Sequence, residues 1–178
     1  MGGAEGDLVT RGAEGKDHNA PDLDPDEKQR VQRANQILLR LKEDLHEREA
    51  NFSERDVGEA AQSARWLRGI LGRHPDGWER AYEDALADSA LTGEEEDYLR
   101  KGVENAGGFV QFVHGNLRAL EEAAPPEGEP SESTTAKITH RHLVCGVAAG
   151  LVAGGVVTGN SFYFGFGVSM SRKAGDCW

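Results

Sequence analysis

Apolar residues in the first two thirds of the chain recur every three or four positions, the spacing that gathers them on one face of a helix. Val31, Ala34, Leu38, Leu41 and Leu45 form the first such stripe. Ahead of it, Asp24, Pro25 and Glu27 read as N-cap, first helical residue and capping-box partner, so a helix is expected near residues 25–50. Ser53 is the next N-cap, and Val57, Ala60, Ala64, Leu67 and Leu71 keep the rhythm over residues 54–73 until His74 and Pro75 stop it. Trp78, Tyr82 and Leu86 make a shorter stripe over residues 76–90. Thr92 and Glu95 form a second capping box. Leu99, Val103, Ala106, Val110, Val113, Leu117 and Leu120 then alternate spacings of four and three, a coiled-coil-like seam on a helix over residues 93–123. Gly107 and Gly108 interrupt that seam at about 1 kcal/mol each relative to alanine, which calls for a kink or a close backbone neighbour. The pattern predicts an all-α fold whose body, residues 24–124, is a four-helix bundle; a helical hairpin that dimerises satisfies it equally.

The pattern changes on either side of this body. Residues 1–23 hold almost no large apolar side chains and read as a disordered acidic tail. Residues 125–136, rich in Pro, Glu, Ser and Thr, read as a flexible linker. Residues 137–178 form an apolar, glycine-rich segment. Within it, Leu143 to Val157 carry no charge, Thr158 to Ser161 are polar or small, and an aromatic run follows from Phe162 to Phe166. A membrane-spanning helix needs about 20 predominantly apolar residues, which this segment reaches only by burying the polar tetrad. Gly146, Gly150 and Gly154 lie four apart, a glycine-zipper pattern that lets helices approach closely and oligomerise. Phe162, Phe164 and Phe166 instead alternate with small or polar residues, as on a strand, so a β-hairpin turning at 158–161 is the competing expectation. The membrane helix is preferred, and all six of these glycines and phenylalanines are candidate assembly or membrane residues.

Charge sharpens the contrast. The chain has 31 acids against 20 Lys and Arg, for a net charge of -11, which disfavours nucleic acid as a partner. From Ala136 onward, however, Lys137, Arg141, Arg172 and Lys173 face one acid, Asp176. A basic apolar tail on an acidic body suggests membrane contact or self-association through the tail, and a protein partner for the body. The N-terminus carries no secretory signal, so a cytoplasmic location is expected, with membrane association through the C-terminal segment. Gly6 stands where N-myristoylation wants Ser or Thr.

Chemistry-bearing motifs are sparse. His140 and His142 flank Arg141, but no acid or thiolate completes a metal site, and a basic membrane flank is the preferred reading. The other histidines are scattered, and the run Glu94 to Asp97 belongs to a helix start. The glycines match no phosphate loop. Cys145 and Cys177 are open to pairing, to thioether formation, or to remaining free, with a free thiol as the default in a reducing compartment; Trp178 is a candidate interfacial anchor. No enzyme, cofactor or metal is expected. The expected function is a membrane-associating or self-assembling protein, effector-like or an anchored regulator. The alternatives are a precursor releasing a C-terminal peptide from a helical leader or immunity-like domain, and a soluble helical interaction module.

Overall fold

The computed structural model describes residues 20–48, 53–123, 140–173 and 177–178; the expected linker and nearly all of the expected N-terminal tail lie outside this range. The described residues form seven helices and no strand: α1 (Pro25–Arg48), α2 (Glu54–Leu71), α3 (Pro75–Asp88), α4 (Gly93–Ala106), α5 (Phe109–Ala123), α6 (His140–Thr158) and α7 (Ser161–Lys173).

The capping residues do what their chemistry predicts. The Glu27 amide donates to Asp24 Oδ1 at 2.8 Å while Glu27 Oε1 accepts from the Asp24 amide at 3.1 Å. Ser53 with Asp56, and Thr92 with Glu95, close the same reciprocal box at the starts of α2 and α4. His74 ends the α2–α3 turn in the left-handed region (φ 58°), and Pro75 begins α3.

The helix expected over 93–123 is two helices. Gly107 (φ 93°) and Gly108 (φ 137°) adopt backbone that other residues rarely reach, so α4 ends and α5 begins in a new direction. Glu79 on α3 secures the restart. Its carboxylate accepts from the Phe109 and Val110 amides, each at 3.0 Å, filling two of the donors a helix start leaves open. The seam residues stay buried on both helices except Ala106, which falls at the break and is exposed. The continuous coiled-coil seam is therefore corrected to two buried stripes.

The strand alternative is also corrected. Residues 161–173 are helical, and residues 158–161 turn α6 into α7 as an αα-hairpin. Gly159 (φ 72°) supplies the left-handed step, the Asn160 amide donates to Gly155 O at 2.9 Å, and Asn160 Oδ1 caps α7 by accepting from the Phe162 amide at 2.9 Å. Phe164, Gly167, Val168 and Ser171 face inward at helical spacing.

α6 packs against α7, α1, α5, α3 and α2 and lies at the centre of the fold. Residues 143–157 are buried apart from the half-buried Cys145, as a helix apolar on every side requires. Leu143, Leu151, Val152 and Phe164 share one core with Leu38, Leu67, Trp78 and Leu117, so the core crosses the expected boundary between body and tail. No helix among the described residues is long and apolar enough to cross a membrane.

Candidate functional site

The six residues singled out from the sequence separate into two groups. Gly146, Gly150 and Gly154 line the sides of α6 that face α5 and α1. A Cβ built on Gly146 would lie 2.6 Å from Leu120, one on Gly150 would lie 2.6 Å from Leu38, and one on Gly154 would overlap the Asn35 side chain. The glycine stripe thus serves close helix packing within one chain, where it holds no surface for a second copy. Phe164 is fully buried.

Phe162 and Phe166 go the other way. They are the exposed large hydrophobic residues among those described, at 73% and 37%, and as i and i+4 on α7 they sit side by side with ring centroids 6.4 Å apart. Lys42 of α1 lies 5.1 Å over the Phe166 ring, and Lys173 is exposed further along α7. Arg172, half-buried, pairs with Glu94 at 3.7 Å and lies over the Tyr98 ring at 5.7 Å. α7 has no acid. The outer face of α7 is therefore aromatic at its start and basic at its end, on a chain of net charge -11. The turn before it is flanked by two depressions. One, about 280 Å³, has Leu23, Lys28, Val31 and Val157 in its wall; the other, about 30 Å³, has Asp84 and Asp88.

Comparison with known protein families, with curated proteins and with solved structures gives no match.

A second cluster, whose cysteines the sequence left open between pairing, thioether formation and free thiols, lies at the other end of α7. Cys145 and Cys177 form a disulfide with Cα atoms 5.6 Å apart, correcting the free-thiol default. A bond closing a sequence separation of 32 contributes roughly 3–4 kcal/mol through the unfolded chain's entropy. Beside it Trp178 stacks on Tyr98 at 5.4 Å and meets Phe112 edge-on at 4.7 Å, so its indole is packed inward and does not stand out as an interfacial anchor. The only hint in the sequence was that the chain has two cysteines, both in its last forty residues.

Other polar groups are structural. Arg68 Nε donates to His114 Nδ1 at 3.3 Å and ion-pairs with Glu121 at 2.7 Å. Burial and the Arg68 charge both push the His114 pKa below its ordinary 6.5. Burial pushes the Tyr82 phenol well above its usual range, and its hydroxyl has no hydrogen-bond partner among the described residues. His142 is exposed at the start of α6, while the His140 side chain lies outside the described set. Among the described residues no group of three or more His, Cys, Asp or Glu is placed to hold a metal ion.

Proposed function

We propose that this chain is a non-enzymatic helical protein that docks reversibly on anionic membrane surfaces through the outer face of α7. The observation that carries the reading is the paired exposure of Phe162 and Phe166 beside Lys42 and Lys173. Aromatic rings with cations at their margin match the boundary between acyl chains and anionic headgroups.

The magnitudes point to a weak, switchable contact. A fully buried Phe contributes about 1.5–3 kcal/mol, and each cation near an anionic surface about 1 kcal/mol. Two rings, one already partly covered, and two lysines therefore give a few kcal/mol before orientation costs are subtracted. Such binding weakens as salt rises. Insertion by the glycine-rich helix is not part of this reading, because its apolar surface already lies in the core.

Flotation of the full chain with vesicles of phosphatidylcholine alone, or with 30% phosphatidylserine on the order needed for a strong surface potential, tests it. The expected result is co-flotation with the anionic vesicles only, loss at high salt, and loss in Phe162→Ser/Phe166→Ser with helicity unchanged. Absence of vesicle binding, or binding indifferent to the double substitution, would overturn the reading and leave a soluble interaction module as its successor.

A further inference from the structure

Trp178 is held in its cleft by contacts that are individually weak. Its backbone amide donates to Tyr98 Oη at 3.2 Å, and its ring stacks on Tyr98 and touches Phe112. The approach is close enough that Gly102 is required beneath it: a Cβ there would lie 2.8 Å from Trp178 Cβ. Yet the indole Nε1, which is buried, has no acceptor among the described residues. An unsatisfied buried donor opposes docking, because in water the same N–H is hydrogen-bonded. The covalent bond at the adjacent Cys177 supplies what these contacts lack, by keeping the ring at its site without further loss of chain freedom.

We propose that Cys145 and Cys177 are a thiol–disulfide exchange site for a dithiol reductant, and that reduction releases Trp178 from the cleft between α4 and α5. Both cysteines are half-buried, so a small thiolate can reach the bond. One thiolate of the dithiol bonds to one of the two sulfurs as the Cys145–Cys177 bond breaks, and the departing cysteine takes up a proton. The dithiol's second thiolate then displaces the first cysteine, which is protonated in turn. Two electrons and two protons enter the pair, and the dithiol leaves as its disulfide. The core helices remain, because Leu143, Val147 and Leu151 hold α6 in the core without the bond. Release uncovers Phe112, buried in the oxidised chain, and one face of Tyr98, so the redox state decides whether an aromatic cleft is closed or open.

The site lies beyond the far end of α7 from Phe162 and does not depend on membrane docking. Indole N–H resonances of the full chain, with Trp178 assigned by Trp178→Phe, test it when dithiothreitol is added and thiols are counted by mass after alkylation. The expected result is two alkylated cysteines, a Trp178 signal moved to the position of a solvated indole, and an unmoved Trp78 signal. Cys145→Ser/Cys177→Ser is expected to show the released signal with no reductant. A Trp178 signal that stays in place with both thiols alkylated would overturn the proposal. So would a bond that resists excess dithiol, or movement of Trp78 together with Trp178.

Discussion

Two side chains, the buried Tyr82 and the half-buried His114, translate directly into stability. Tyr82 stacks on Phe109 with ring centroids 4.8 Å apart, yet its buried hydroxyl has no partner among the described residues. Tyr82→Phe keeps the stack and removes the unmet group, so it is expected to raise stability by about 1 kcal/mol in urea denaturation. His114 has the opposite relation to pH. Its folded pKa lies below the ordinary 6.5, so as pH falls past 6.5 the unfolded chain takes up a proton that the folded chain resists. Stability is therefore full above about pH 6.5 and is lost as pH falls from there toward the folded pKa. Thermal unfolding at pH 7.5 and pH 5 should show that loss, and His114→Gln should reduce it. The stripe at Trp78, Tyr82 and Leu86 placed Tyr82 on an apolar face, but the unmet hydroxyl and the setting of His114 depend on which helices meet there and were not legible in the sequence.

The starts of α1, α2 and α4 were legible residue by residue. Asp24, Ser53 and Thr92 each carry an acid three positions later, and each closes its box, because capping is a local interaction that needs no tertiary context. The break at Gly107 was visible as a weakness. The restart at Phe109 is held by Glu79, thirty residues before it, so the outcome could not be read locally. The strand alternative failed because small residues at 165 and 167 produce alternation by chance while Phe164 and Val168 carry the helical period. That period also identifies the glycines that matter most to the hairpin. A Cβ on Gly155 would lie 2.5 Å from the Phe164 amide nitrogen, and one on Gly167 would lie 2.5 Å from Ala148 O. Backbone cannot yield as a side-chain tip can, so Gly155→Ala and Gly167→Ala should each lower the melting temperature sharply. Gly165→Ala, with open space and a helical backbone, should be neutral or raise stability by up to about 1 kcal/mol.

For the molecule as a whole, the composition shift at the linker marked a real change in the chain, but most of the apolar surface beyond it lies in the core. An apolar segment joined to an acidic body invites the inference of an exposed anchor, but apolar surface is satisfied equally by the body's own stripes. Leu38 of α1 and Leu120 of α5 close onto Gly150 and Gly146. A chain ending at residue 124 would leave those leucines facing water, so it is expected to self-associate and to unfold without a cooperative transition. Of the six candidate residues, Phe162 and Phe166 are exposed while Phe164 and the glycines lie inside, a division the sequence could not make before the helix set which positions face the core. The central claim is that α6 is the core and α7's outer face is the contact. Amide hydrogen exchange of the full chain, with and without anionic vesicles, tests it most directly. The account predicts strong protection over residues 143–157 in both conditions and added protection on vesicles confined to the Phe162–Lys173 face and its Lys42 neighbour. Rapid exchange in α6 in solution, or loss of its protection when vesicles are added, would contradict it.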